Sequence, residues 1–396
     1  MILNNETRRN EVKLIQRKRI NMKKWDLNNA SKTIQFSAAL LTAFIGGGLF
    51  SLIRFPIPWL LGPMAALLIA SRFKNVKLIW PVSMRNTGLI IVGYSIGISF
   101  TKSSLSDMIS HLPSMLILTA LIVLVCACSA FVMSKYCDID YPTSLTSSIP
   151  GGLSQIVVFA EEMKGIDITT VTFFHVTRVI MVVFLVPLLI ISPLFAANRT
   201  NDSSKIMDNV IPEWSDLFPL IFLFALICFL AARIGKIFKL PAPYFLGPVI
   251  VTAAIGLLGL QGPPLPLSLL DISQFMVGGY IGLLLKPEQL DNKRKTLLLA
   301  LMNGLILICA TMFFSFLLTK YYDLSTITSF LSLAPGGMDQ MGIIAQEVNA
   351  DVSTVTSYQL FRMAFIYAAV PPLLKLVLKL SLRKKDKNSN VKLNVK

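Results

Sequence analysis

Two short stretches hold the residues most able to do chemistry. Ser147 to Glu162 reads SSIPGGLSQIVVFAEE, and Ser332 to Glu347 reads SLAPGGMDQMGIIAQE. Each places a proline and two glycines, Pro150-Gly151-Gly152 and Pro335-Gly336-Gly337, just ahead of an apolar helical run. Proline lacks an N–H and fixes φ, whereas glycine tolerates almost any backbone conformation, so a helix passing through either stretch is interrupted. Backbone left unpaired in hydrocarbon is costly unless it faces protein or a watery cavity. Matched breaks are therefore expected at a transporter's central site, where half-helix ends offer N–H and C=O groups to a solute or ion. A plain loop between packed helices is the structural alternative.

The polar residues that follow keep helical spacing. Gln155 and Glu162 are seven apart and share a face, as do Gln340 and Glu347. Ser154 of the first stretch is matched by Asp339 in the second, and an acid beside unwound backbone in only one half suits proton or cation coupling. A solvated or capping carboxylate is the alternative. Asp167 and Asp351 precede ITTVT and VSTVT and read as helix N-caps. Arg178 and Arg362 lie well inside the apolar runs that follow, where a charge faces a partner or a cavity. Thr172, His175 and Arg178 are three apart, and Thr356, Gln359 and Arg362 repeat that arrangement. Two readings of the arginines stay open: an anion-binding pair opposite the breaks, or ties that hold each half by pairing with Glu162 or Glu347.

The elements that must position these groups are membrane helices. The 396 residues are 54% hydrophobic and only 15% charged, more apolar than a soluble core of this size requires. The net charge of +16 is concentrated at the ends: nine Lys/Arg against three Asp/Glu precede the first apolar run, and eight against one lie from Lys375 to Lys396. That distribution fits two cytoplasmic tails on an anionic leaflet and leaves no basic face for nucleic acid. No removable signal peptide is read at the N-terminus. Five cysteines without a C-x-x-C pair read as small buried apolar residues, and His111 and His175, on separate segments, do not suggest a metal centre. A phosphate-binding loop and a Ser-His-Asp order are also missing, so neither an enzyme nor a cofactor is expected.

The chain is written twice. PWLLGP at Pro58 matches PYFLGP at Pro243, KYCD at Lys135 matches KYYD at Lys320, and Pro150 matches Pro335, all 185 residues apart; Arg178 and Arg362 are 184 apart. Apolar segments run near Ile34–Ile53, Ile57–Ser71, Thr87–Phe100, Pro113–Ser134 and Ile168–Phe195, with counterparts near Leu217–Phe238, Pro243–Leu260, Leu269–Leu285, Thr296–Thr319 and Val352–Leu380. The predicted organisation is a basic extension over 1–33, a membrane repeat over 34–195, a polar linker over 196–216, a second repeat over 217–380 and a basic tail over 381–396. Five crossings per half keep Arg72, Lys74 and Lys77, then Arg233, Lys236 and Lys239, then Lys286 and Lys293–Lys295 inside with both tails. Six crossings would move both basic clusters of the second half outside, so the charges favour an inverted-topology repeat.

At the paired SIPGGLSQ and LAPGGMDQ the sequence resembles the AbrB-type membrane protein family, whose members carry a duplicated unit with a P-G-G-x-x-Q element in each half. The resemblance covers roughly Ile34 to Leu380. It implies kinship with the sodium/bile-acid symporter and cation/proton antiporter superfamily, and hence inverted repeats with two crossed, discontinuous helices. In that fold the broken helix does cross the membrane, so one short segment would be re-entrant or merged with its neighbour. Some members are called regulators of gene expression and others ammonia monooxygenases; two distant histidines cannot build a copper centre, and nothing here supports DNA binding.

The expected protein is thus an all-α polytopic membrane protein with two inverted repeats of about five to six helices, placed in a bacterial-type inner membrane. The expected function is alternating-access transport of a small anionic or zwitterionic solute, with coupling to protons or sodium left open. A membrane sensor that affects gene expression indirectly is the alternative. The partners are the bilayer and a small molecule or ion; self-association is left open.

Overall fold

The computed structural model describes residues 31–73, 77–136, 139–151, 166–196, 220–284, 293–322, 324–369 and 372. Among these residues the regular structure is all helix. In chain order the helices are α1 Lys32–Leu52, α2 Pro58–Ala70, α3 Val82–Gly97, α4 Lys102–Ser110, α5 Leu112–Tyr136, α6 Tyr141–Ser148, α7 Ile168–Ile191 and the four-residue α8 Pro193–Ala196. They continue as α9 Leu220–Ile237, α10 Pro243–Leu257, α11 Leu267–Gly282, α12 Lys293–Tyr322, α13 Thr326–Leu333 and α14 Met338–Glu347. The last, α15, covers 352–369.

Five of the described helices, α1, α5, α7, α9 and α12, are long and apolar enough to cross a bilayer. The 25 residues of α5 rise about 37 Å, more than the ~30 Å of a hydrocarbon core. Large apolar side chains point outward along α9, where Phe222, Leu223, Leu226 and Leu230 are all exposed. Such a surface is stable only against lipid.

The chain divides into two compact units, the first running to Arg85 with Phe275–Leu283, the second covering Asn86–Gln274 and everything from Leu284 onward. In the first unit α1 crosses α2 with the backbones almost touching: a Cβ on Gly62 would lie 2.6 Å from the carbonyl carbon of Gly46. Trp80 seals this unit, donating from Nε1 to the Met276 carbonyl at 3.0 Å and stacking edge-on against Phe275 with centroids 5.5 Å apart.

In the second unit α5 supplies Met115, Leu118, Ile122, Cys126 and Ala130 to a core shared with Leu145 and Ile149 at α6, Leu307 and Leu318 of α12, Leu333 of α13, and Tyr358 and Ile366 of α15. This apolar packing surrounds the short helices that lead into the breaks. Asn303 of α12 pins the arrangement by accepting from Ser129 at 2.7 Å and Ser148 at 3.3 Å. The described cysteines are divided: Cys126 and Cys228 are buried, but Cys128 and Cys309 face outward, a side that their apolar surroundings in the sequence did not distinguish.

Local geometry recurs at the sequence spacing. Helices begin at Pro58 and Pro243, at Val82 and Leu267, and at Tyr141 and Thr326, each pair 185 apart. Left-handed backbone recurs at Arg54 and Lys239 (φ 54° and 53°) and at Ile57 and Ala242 (φ 51° and 45°). The glycine crossing recurs too, since a Cβ on Gly247 would meet the Ala231 carbonyl oxygen at 2.7 Å.

Two details differ from the sequence reading. The segment predicted near Thr87–Phe100 begins earlier, at Val82, and is followed by α4 after an 89° bend. Thr101 accepts from the Ser104 N–H and starts α4 as a new helix, whose polar composition KSSLSDMIS hid it from an apolar scan. The breaks are also preceded by separate eight-residue helices, α6 and α13, capped by Asp140 and Ser325.

Asp167 and Asp351 act as the expected N-caps. Asp167 accepts from the Thr169 N–H at 2.9 Å, and Asp351 accepts from the Ser353 and Thr354 N–H groups at 3.0 and 3.1 Å. Their own N–H groups donate to Thr143 and Thr328, both at 3.1 Å, tying the long helices to the starts of α6 and α13. Burial acts to raise the Asp351 carboxyl, but the hydrogen bonds from Ser353 and Thr354 outweigh it and hold the group below its ordinary value.

Two outcomes follow. Gly62→Ala is expected to cost about 1–3 kcal/mol because the crossing has no room for a methyl, whereas Gly48→Ala, with nothing within 4 Å, is neutral or stabilising; thermal unfolding in detergent compares them. Asp351→Ala is expected to cost about 1 kcal/mol at neutral pH. Because the native carboxyl is depressed, this stabilisation is present above the unfolded value near about 4 and disappears as the pH falls through the native value. The gap between wild type and variant therefore closes in acid.

Candidate functional site

The site lies in the second unit, where α6 and α13 end. After α6, Ile149 is extended (φ −66°, ψ 127°); after α13, Ala334 repeats that conformation (φ −52°, ψ 136°). The N–H of Gly151 donates to the Ile149 carbonyl at 3.0 Å, and that of Gly336 to the Ala334 carbonyl at 2.8 Å. Each proline thus sits at the centre of a three-residue turn, a geometry that its fixed φ favours. Gly337 is extended (φ −77°, ψ 152°) and caps α14. The continuation of the first break, with Gly152, Ser154, Gln155 and Glu162, lies outside the described residues.

A helix end in an apolar core leaves carbonyls without donors and carries partial negative charge. The intramembrane arginines answer that need. Arg362 donates from Nη1 to the Leu333 carbonyl at 2.8 Å and from Nη2 to Ala334 at 3.0 Å and Gly336 at 3.2 Å. Gln359 supports it, donating to the Leu331, Ser332 and Ala334 carbonyls at 2.9–3.3 Å and accepting from Arg362 through its own oxygen. In the first half Arg178 donates to the Ser147 and Ser148 carbonyls at 3.3 and 3.1 Å. His175, matched to Gln359 in sequence, places Nδ1 2.9 Å from the Val171 carbonyl. Both arginines are almost wholly buried, 3% and 4% exposed, and close enough to repel each other.

One cavity of about 70 Å³ joins the breaks, lined by Pro150, Gly151, Gly336, Gly337, Asp339, Gln359 and Arg362, with Ala242, Met338 and Met363. That is room for a few waters or a small polar solute. A Cβ on Gly337 would meet Asp339 Oδ1 at 2.6 Å and also Gln340 Oε1, so both side chains fold back over the break. Asp339 stands in the first turn of α14, at the positive end of its dipole. Pro335 is buried beside the cavity, and Gln340 is buried with Oε1 lacking a donor among the described residues. Glu347 lies apart at the other end of α14, accepting from Gln274 at 3.3 Å.

Sequence reasoning missed several polar groups. The hydroxyls of Ser144 and Ser147 on α6 and of Ser329 and Ser332 on α13 are buried without a protein partner among the described residues, at positions matched 185 apart. The run PTSLTSS, polar inside an apolar chain, was a usable signal for the first pair. Asn303 and Gln274 gave none, because single amides in long apolar runs reveal their partners only in three dimensions.

Comparison with known proteins gives a consistent assignment. The family model described as AbrB, "Transition state regulatory protein AbrB", matches residues 59–378. The chain is 26% identical over 367 residues to "Uncharacterized protein YhjN" of Bacillus subtilis (strain 168), covering 87% of this chain and 94% of that protein. It is likewise 26% identical over 330 residues to "Putative regulator AbrB" of Escherichia coli (strain K12), covering 83% and 92%. A match over most of the chain shows the family: this chain belongs to the AbrB family.

The capping geometry predicts the effect of losing it. Arg362→Ala leaves the carbonyls of Leu333, Ala334 and Gly336 without that donor. At roughly 1–3 kcal/mol for each buried group left unsatisfied, a loss of at least ~2 kcal/mol is expected by thermal unfolding. Arg362→Lys, with one compact ammonium, recovers only part of it.

Proposed function

We propose that this AbrB-family membrane protein is a secondary transporter that moves a small solute by alternating access. The observation that carries this reading is the convergence of two proline-glycine breaks on one cavity that Asp339, Gln359 and Arg362 also line. Unwound backbone at membrane depth is tolerated where it lines such a cavity, and there it presents N–H and C=O groups to a ligand.

The charges suit a zwitterionic or anionic solute. Most of the donor capacity seen for Arg362 is committed to carbonyls, so the residue offsets the negative end of α13 more than it offers a free fork. Asp339 and the positive end of α14 likewise oppose each other. A solute carrying both signs, or a carboxylate seated at the α14 N-terminus, meets a site close to neutral. Inverted repeats, cytoplasmic tails and an inner-membrane location complete the reading, supported by the basic ends and by the charge clusters between segments.

A second reading has one observation in its favour: a relative spanning most of the chain is named as a regulator. On that reading the same cavity binds a ligand and the basic tail passes the signal on without flux.

The test is flux in proteoliposomes carrying an imposed proton or sodium gradient, across a panel of small metabolites. Saturable uptake is expected, falling to background in Gly336→Ala/Gly337→Ala while the protein stays folded. Full transport by a protein lacking both breaks would overturn the mechanism. Ligand binding without flux, together with an output lost on removing Lys384–Lys396, would support the sensor.

A further inference from the structure

Away from the cavity, Glu347 ends α14 against α11. Gln274 of α11 donates through Nε2 to Glu347 Oε2 at 3.3 Å. Gln274 is only 4% exposed, and the oxygen of the same amide is buried without a hydrogen-bond partner among the described residues. One turn earlier on α11, Asp271 shares the face of Gln274, and its carboxylate is repelled by Glu347. Two carboxylates of like charge thus share the surroundings of one buried amide, whose nitrogen is anchored on Glu347 and whose oxygen is left without a partner among the described residues.

Among the described residues, no cationic side chain pairs with this group. We propose that Asp271, Gln274 and Glu347 form a binding site for a hard monovalent cation, Na⁺ or K⁺. Hard cations take carboxylate and amide oxygens as ligands. A cation here offsets the repulsion between the carboxylates and engages the amide oxygen, which a buried polar atom otherwise lacks at a cost.

The site is built once: Asn86 and Leu89 stand 185 residues before Asp271 and Gln274, so the matching positions of the first half offer neither the acid nor that amide. It is also linked to the cavity by a single rigid element. Glu347 and Gln340 are seven residues apart on one face of α14, about 10 Å along the axis, and Gln340 borders the break at Gly337. Occupancy at Glu347 therefore bears on the helix whose other end lines the cavity, as a coupling site requires.

The experiment uses the full chain in detergent, with NaCl or KCl replacing choline chloride at constant ionic strength, read by thermal unfolding near neutral pH. A saturable rise in Tm with Na⁺ or K⁺, absent with choline, is expected for the wild type. Asp271→Asn and Gln274→Leu should abolish it. Asp271→Asn, having lost the like-charge repulsion, should melt in choline at or above the wild-type temperature, which a merely destabilising substitution would not do. The site is overturned if choline gives the same rise, if the folded variants keep the cation response, or if Tm follows pH alone, which would make a proton the occupant. The result is separable from transport: a saturable cation effect without flux keeps the site and removes the transporter reading, and flux with no cation effect does the reverse.

Discussion

A half-helix that stops inside an apolar core exposes carbonyls which water cannot reach, and the second unit is arranged around satisfying them. α6 and α13 end in this way, and each is met by side chains from the long helix that follows: Arg178 beside the first end, Arg362 and Gln359 at the second. An arginine suits the task because it stays charged and spreads several donors over a planar fork, so it meets successive carbonyls and opposes the helix-end dipole together. Burying such a charge is tolerable when it is engaged. Arg362 meets three carbonyls and Gln359, and Arg178 meets two carbonyls, its Nε having no partner among the described residues. The break and the arginine therefore require each other, and neither makes sense alone.

The packing follows from that pairing. A guanidinium can reach the end of α13 only if α15 is held at a fixed height beside it, and the cap at Asp351 sets that height by joining the start of α15 to Thr328 at the start of α13. The same device, Asp167 bonded to Thr143, aligns α7 with α6. Each half-helix is thus clamped at both ends to one long helix, by a capping aspartate at its start and a buried cation at its finish. α5 and α12 close the apolar sides, with Asn303 bridging to Ser148 and Ser129. The cavity is what remains once all of these bonds are made.

Much of this was legible in the sequence because its causes are local. Proline and glycine announce a break wherever they fall, an aspartate before a Thr-rich helical start announces a cap, and a run of apolar residues announces a span. The duplication made each signal count twice. The partner of each arginine was not legible. Glu162 and Glu347 were the obvious candidates by charge, but Glu347 accepts from Gln274 and the donors of Arg362 go to backbone. Backbone carbonyls carry no signature in a sequence, since every residue has one, and only the three-dimensional end of a helix leaves them wanting. The bend before α4 was hidden for a related reason: its cap is local, but its polar residues gave no apolar period to follow.

The two halves share a scaffold but differ in their chemistry. The prolines, the capping aspartates, the arginines and the buried serines recur. Several titratable and amide groups do not: Ser154 faces Asp339 in the alignment, His175 faces Gln359, Asn86 faces Asp271 and Leu89 faces Gln274, although Gln155 and Glu162 are matched by Gln340 and Glu347. The prolines, aspartates and arginines that recur are those that shape or satisfy backbone, a need that both broken helices share. Of the residues that differ, Gln359 still serves backbone, whereas Asp339 lines the cavity and Gln274 bonds Glu347, so divergence at these two positions is where a ligand's asymmetry can be expressed. With Asp339 at one end of α14 and Glu347 at the other, that helix connects the cavity to the Asp271 cluster. A symmetric scaffold with Asp271 and Asp339 in one half only can respond differently to a charge arriving from each direction.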